Sequence, residues 1–198
     1  MPLPHKYSMA DVITQFKAQP SGPAETLKSG FVLLPKGDDD LNSGDSRRIS
    51  KDQYFMNIAI EVSRRSTCTR RQIGAIIVSD AGEIKSTGYN GNPRGLPHCS
   101  EMGCIRDELS IPSGTRLETC TAVHAEQNAL IQAGTNSRGS TIYSTIVPCP
   151  ICARMIMNAR IARVVYIGDY SDLSGLELLK QGGIALTQLD REDFKDLL

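Results

Sequence analysis

No stretch of this sequence approaches the roughly 20 consecutive apolar residues that a membrane-spanning helix needs. The opening residues, MPLPHKYSMADV, lack the basic-then-apolar shape of a secretory leader. Excess charge of either sign is also missing, with 22 Lys and Arg against 22 Asp and Glu. Nothing global therefore points to nucleic acid or to an anionic membrane. The arginine pairs Arg47-Arg48, Arg64-Arg65 and Arg70-Arg71 read as solvated faces. No internal repeat is present, which sets aside solenoids and arrays. These absences leave a cytoplasmic, globular chain of 198 residues, about one domain with an appendage. That length suffices to bury a real core.

What is present begins with six cysteines: Cys68, Cys99, Cys104, Cys120, Cys149 and Cys152. Thiols in a reducing compartment are seldom disulfides. Six in a chain of this size suggest metal, catalysis or small buried hydrophobes. Histidines number three, and His5 has no partner that the sequence can name.

Residues 1–50 differ from the rest. SGPAETLKSG and KGDDDLNSGDSRR are rich in turn formers and charge, and they flank one apolar patch, FVLLP at 31–35. This segment reads as an arm on a domain spanning 51–198. Ser50 and Gln53 form a capping box, S-x-x-Q. Tyr54, Phe55, Ile58, Ala59 and Val62 then recur at helical spacing, so a helix is expected over 51–65. Strands are expected at 73–79 and 83–90, joined as a hairpin by the turn at 80–82. Residues 91–120 read as irregular, with three cysteines as candidate pins. Helices are expected at 123–133, 149–158 and 172–181, and strands at 140–146, 162–168 and 184–189. This order predicts a three-layer α/β/α sandwich around a mixed five-stranded sheet.

Two stretches carry chemistry. In VPCPICARMIMNA (147–159), Cys149 and Cys152 are three residues apart where a helix should open, so they share a face. The positive end of the helix favours thiolates there. C-x-x-C alone is ambiguous between structural zinc, a redox pair and coincidence. In TAVHAEQNALIQAG (121–134), His124 and Glu126 are two apart, so a target beside the helix cannot meet both. A target off the helix N-terminus can, because side chains of the first turn splay around the end. The spacing therefore makes sense if His124 opens the helix. His124, Cys149 and Cys152 would then hold a zinc with its fourth position open to water, the catalytic pattern. Zinc lowers the pKa of bound water to about 7. Glu126, near but unligated, could take and deliver that proton.

H-x-E followed by P-C-x-x-C is the signature of zinc-dependent deaminases. Beyond the signature, CTRRQIGAIIV, STGYNGNPRGLPHC, IPSGTRLETCTAVHAEQNALIQAG and PCPICARMIMNARIARVVY together resemble the deoxycytidylate (dCMP) deaminase family, particularly its bacterial and phage members. The resemblance covers about 51–190. It implies the cytidine deaminase fold, a catalytic Zn2+, a common homohexameric assembly, and conversion of dCMP to dUMP for thymidylate synthesis. It also implies that Glu126 passes its proton to ring N3 and helps expel ammonia from C4. Asn90 resembles the asparagine that holds the sugar, and the Ala125 backbone should contact the pyrimidine. Arg94 is a candidate phosphate contact, because a guanidinium suits phosphate oxygens; Arg70 and Arg71 are weaker ones. Some family members carry a second, structural Zn2+ with ligands matching Cys68 and Cys99. Cys104 and Cys120 would complete that site here, with His98 as a substitute for one of them. The GYNG stretch (88–91) fits a loop associated with dCTP and dTTP effectors. The arm at 1–50 departs from the family pattern, and its apolar patch is expected to reinforce the oligomer.

Three other readings share these residues. Deamination of dCTP or of 5-substituted dCMP needs only a different pocket. A tRNA adenosine deaminase shares both motifs but should carry a basic surface for RNA. A non-catalytic zinc module would have no use for an unligated Glu126.

Overall fold

The computed structural model describes residues 48–112, 115–168 and 173–197, all within one unit, Arg47–Leu198. The apolar patch at 31–35 and nearly all of the expected arm lie outside the described residues.

Helix α1 spans Lys51–Ser63. Its start is the capping box expected from the sequence. The Gln53 amide donates to Ser50 Oγ, and the Ser50 amide donates to Gln53 Oε1, both at 3.1 Å. Strands β1 (Gly74–Val78) and β2 (Ile84–Tyr89) follow as an antiparallel hairpin. The 91–120 stretch is less irregular than its composition suggests. It holds two four-residue helices, α2 (Cys99–Met102) and α3 (Ile105–Glu108), and a 3-10 turn at Leu117–Thr119. Then come α4 (Ala125–Ala133), β3 (Thr141–Ser144), α5 (Pro150–Asn158), β4 (Arg163–Ile167), α6 (Ser174–Gln181) and β5 (Ala185–Leu189). A 3-10 turn at Arg191–Phe194 follows β5.

The five strands form one mixed sheet in the order β2-β1-β3-β4-β5. β1 runs antiparallel to both neighbours, whereas β3, β4 and β5 are parallel. Parallel neighbours require crossovers, which α5 and α6 supply. Side chains alternate between the two faces of a strand, and the core divides accordingly. Ala75, Ile77, Ile142, Val164 and Tyr166 pack with α4, α5 and α6. Ile76, Val78, Tyr143, Val165 and Ile167 pack with α1 and Phe194. The three-layer expectation is met, with the sheet as the middle layer.

Two close approaches fix the layers near the site. A Cβ on Gly88 would collide with the Ala125 carbonyl and the Ala129 amide, so only glycine lets β2 touch α4. A Cβ on Gly175 would strike the Pro148 carbonyl, so α6 abuts the residue just before Cys149.

Candidate active site

His124 is the N-cap of α4, and Cys149 is the N-cap of α5. Both helices thus begin one or two residues later than periodicity suggested. The residue that opens each helix is an N-cap with extended backbone, not a helical residue. His124 is held in place by its amide, which donates to Gln127 Oε1 at 2.9 Å. At the other helix, Pro150 occupies the first helical position, where its missing N–H costs nothing. Cys152 sits on the first turn behind it. The two helix starts face each other.

His124 Nδ1 lies 3.5 Å from Cys149 Sγ and 3.4 Å from Cys152 Sγ. All three donor atoms lie within 4.8 Å of one another, and among the described residues no other group of three acidic, cysteine or histidine side chains does so. A tetrahedral zinc with Zn–N near 2.0–2.1 Å and Zn–S near 2.3 Å would separate N from S by about 3.6 Å. The observed spacing fits. Cys149 is pushed down to about 4, first by the thiol of Cys152 hydrogen bonding to it and then by His124. The hydrogen bond to Cys149, and then burial, push Cys152 the other way. Two thiols and an imidazole at this spacing are a donor set that suits zinc.

Glu126 is buried, 3% exposed, on the first turn of α4. Ser144 Oγ donates to its Oε1 at 3.4 Å, and Cys152 Sγ donates to its Oε2 at 3.6 Å. Burial raises its affinity for a proton, and the neighbouring His124 partly opposes this. The side chain touches the donor trio yet is not one of it. Ser144, fully buried at the end of β3, was not singled out in the sequence. Serine and threonine also stand at 140, 141 and 145 around this strand, so nothing in the sequence set Ser144 apart.

Asn90 proves to be a clamp. Its Oδ1 accepts from Ser66 Oγ (2.6 Å) and from the Ile73 amide (2.9 Å), and its Nδ2 donates to the Arg71 carbonyl (2.9 Å). Of its two side-chain N–H groups, one remains for a ligand. Ala125 is fully buried behind His124. Arg94 is exposed four residues after Asn90 and has no partner among the described residues.

The structure does not gather the four remaining cysteines as tightly as the first pair. Cys99 and Cys104 are buried, and Cys68 and Cys120 are half-buried. The thiol of Cys99 feels all three others and is pushed up, first by burial, so the four share one neighbourhood. Their sulfurs are not among the groups within 4.8 Å. Cys99 Sγ instead approaches Asn92 Oδ1 at 3.9 Å. His98 is exposed.

Arg106 was also not singled out. It is 9% exposed, and its guanidinium donates to the carbonyls of Pro112 (2.7 Å) and Thr115 (2.8 Å). It ties together the stretch preceding His124. Nothing in the local sequence marks it as buried.

Beyond Ser144, a cleft of about 800 Å³ opens where the chain leaves β3 and β4. Thr145 and Gly168 line it, as do four arginines: Arg64, Arg70, Arg71 and Arg191. Binding at the carboxyl ends of strands is the rule for open α/β sheets.

A three-layer α/β/α sheet with two facing helix N-termini, one presenting His-x-Glu and the other Cys-x-x-Cys, defines a class of zinc-site proteins. The chain belongs to the cytidine and deoxycytidylate deaminase family, whose zinc-binding region matches residues 49–168. It is 38% identical over 152 residues to a deoxycytidylate deaminase of Schizosaccharomyces pombe, covering 75% of this chain and 47% of that protein. The chain thus spans about half the length of that relative. A deoxycytidylate deaminase of Mycobacterium phage D29 is 39% identical, over 58% of this chain and 92% of its own. The dCMP deaminase of cyanophage S-TIM5, solved with dCMP and dUMP, superposes with a TM-score of 0.58 at 32% identity, covering 69% and 95% of the two chains. No helix among the described residues is long and apolar enough to cross a membrane.

Proposed function

We propose that this protein hydrolyses dCMP to dUMP and ammonia, and so supplies dUMP for thymidylate synthesis. The observation that carries this is a buried carboxylate beside, but outside, a two-thiol, one-imidazole donor set. A structural metal site has no need of Glu126. A hydrolytic deaminase needs a group there to move protons. The nucleotide is read from the relatives named above, two called deoxycytidylate deaminases and one solved with dCMP and dUMP bound.

His124, Cys149 and Cys152 would hold the zinc, which when bound acidifies water and makes it a nucleophile at neutral pH. Glu126 takes the proton that the water gives up. It passes that proton to N3 of the pyrimidine, which leaves C4 electron-poor and open to attack by the oxygen. Glu126 then carries the second proton from that oxygen to the exocyclic nitrogen. The C4–N bond breaks, ammonia leaves, and C4 becomes a carbonyl. One carboxylate serves both transfers. Ser144 fixes the direction of Oε1, and burial makes the protonated intermediate form of Glu126 accessible. Ala125 lends backbone to the pyrimidine, and the remaining N–H of Asn90 meets the sugar. Arg94 reaches toward the phosphate from the 91–98 loop. A second, structural Zn2+ on Cys68, Cys99, Cys104 and Cys120 belongs to the same reading, as do a homohexamer and dCTP or dTTP effectors.

The test is ammonia release from dCMP, dCTP, 5-methyl-dCMP, cytidine and a tRNA under one set of conditions. dCMP should be turned over fastest. Preference for dCTP or for the 5-substituted nucleotide would change the substrate and keep the chemistry. Release from tRNA alone, or from none, would overturn the proposal.

A further inference from the structure

We propose that Asn92, Thr121 and Asn128 are positioning residues for the deamination. Together they clasp the end of β2 to the start of α4, and so fix the distance between the sugar contact at Asn90 and the base site at His124 and Glu126. The inference rests on the dCMP reading and adds residues that act through Asn90 and His124.

Three links join residues 89–92 to residues 121–128. Asn128 Nδ2 donates to the Tyr89 carbonyl at 2.8 Å. Gly91 and Val123 exchange two backbone bonds, the Gly91 amide donating at 3.2 Å and the Val123 amide at 2.9 Å. Thr121 Oγ1 donates to Asn92 Oδ1 at 2.8 Å. Asn90 and His124 are the residues that these links bracket. The backbone pair can form with almost any side chains, whereas the outer two links need the ones present. Asn92 Nδ2 donates to the Pro97 carbonyl at 2.7 Å, which turns the amide oxygen toward Thr121. Asn128 lies four residues after His124, so the two share a face of the helix.

Asn90 is braced from the other side as well. Its side chain bonds to Ser66, to the Arg71 carbonyl and to the Ile73 amide, while its neighbours in the chain bond to 121–128. Packing alone would not give this register. Gly88 sets how closely β2 and α4 approach, but an apolar contact is non-directional and resists sliding weakly. Hydrogen bonds are directional, so the clasp stops α4 from slipping along β2. Such a slip would move His124 relative to Asn90 without opening the core. In dCMP the 5′ oxygen is esterified and C2′ bears no hydroxyl. The 3′-hydroxyl is then the sugar's one free hydroxyl, and it is the partner for the remaining N–H of Asn90. The clasp decides whether base and sugar are met at once, and a displacement of about 1 Å is enough to spoil such a fit.

The test is steady-state deamination, by the zinc-loaded full chain, of dCMP and of 2′,3′-dideoxycytidine 5′-monophosphate, which lacks that hydroxyl. Asn128→Ala, Asn92→Ala, Thr121→Val and Thr121→Ser are compared with the unchanged protein. Thr121 is exposed, and valine keeps its shape without the donor, so Thr121→Val leaves folding intact. Asn128→Ala, Asn92→Ala and Thr121→Val should each raise KM for dCMP roughly threefold to tenfold, within the range of one neutral hydrogen bond, with kcat unchanged within about twofold. KM for the dideoxy nucleotide should move by less than about twofold, because the contact that the clasp serves is already gone. Thr121→Ser keeps the hydroxyl and should match the unchanged protein. Equal losses on both nucleotides, or a loss in kcat alone, would show that the links merely hold α4 in the fold, and would overturn the proposal. A Thr121→Ser protein as impaired as Thr121→Val would overturn it too. If the unchanged protein handles both nucleotides alike, Asn90 does not hold the sugar and the clasp has nothing to position, although dCMP deamination stands. Turnover of neither nucleotide by the unchanged, zinc-loaded protein is failure of the dCMP reading itself, and the role of the clasp falls with it.

Discussion

Glu126 and Asn90 show how differently two buried polar side chains can be used. Glu126 has weak protein partners at 3.4 and 3.6 Å, so its bonding capacity is left for reactants. Glu126→Gln should keep the metal, measured by elemental analysis, and lower kcat for dCMP by at least a hundredfold. General acid–base groups contribute about 10²–10⁴-fold, and an amide cannot carry the proton. Near-normal turnover would remove Glu126 from the mechanism. Asn90, by contrast, spends three of its hydrogen bonds on residues 66–73. Each is worth about 0.5–1.5 kcal/mol net. Asn90→Ala should therefore lower unfolding free energy by about 2–4 kcal/mol, read by urea denaturation, as well as weaken nucleotide binding. A change in binding with unaltered stability would mean that the clamp has no weight and that the sugar contact is the whole role.

At the scale of elements, α4 is the part that must not shift, because it carries both His124 and Glu126. Gly88 lets α4 lie directly on β2, with the Ala125 carbonyl and Ala129 amide filling the space of a side chain. Gly88→Ala must push against backbone that cannot rotate away. A cost of about 1–3 kcal/mol is expected from overpacking, with a loss of activity larger than stability alone explains. An alanine variant with unchanged melting temperature and activity would show that the layers have slack. The elements themselves were legible in the sequence, and so was the metal trio. An apolar run and a turn placed the β1–β2 hairpin, the remaining strands fell between the expected helices, and H-x-E with P-C-x-x-C placed both helix starts to within two residues. The error had one cause: His124 and Cys149 look helical by spacing, but as N-caps they keep extended backbone. What stayed hidden was tertiary. The burial of Arg106 and the arrival of Arg191 in the same cleft as Arg71 depend on a loop without periodicity and on segments more than 100 residues apart. Composition also made 91–120 look wholly irregular, because helices of four residues are too short to show a period.

For the whole molecule, the question is how much of its stability resides in metal. A ligand that binds only the folded state stabilises by about 2.7 kcal/mol at a free concentration 100 times its dissociation constant. For 150–250 residues, each kcal/mol moves Tm by about 2–4 °C. Removing one zinc should then lower Tm by about 5–11 °C, and removing two by about twice that. The trio of His124, Cys149 and Cys152 has zinc-like spacing, so one ion per chain is the least that carefully purified protein should hold. A second ion would be carried by Cys68, Cys99, Cys104 and Cys120, four thiols close enough for Cys99 to feel the other three. They lie at or near the two ends of the 91–120 stretch, within it, and in the segment before β1. A cation there would draw the sulfurs together and anchor that stretch to the segment that Asn90 holds. Elemental analysis should return two zinc ions per chain. Cys104→Ser should lose one of them and lower Tm by the increment of a single site, while the metal at the catalytic trio stays. If native protein holds one zinc and reacts with a thiol reagent at all four of these cysteines, the second site does not exist, and packing alone orders the stretch.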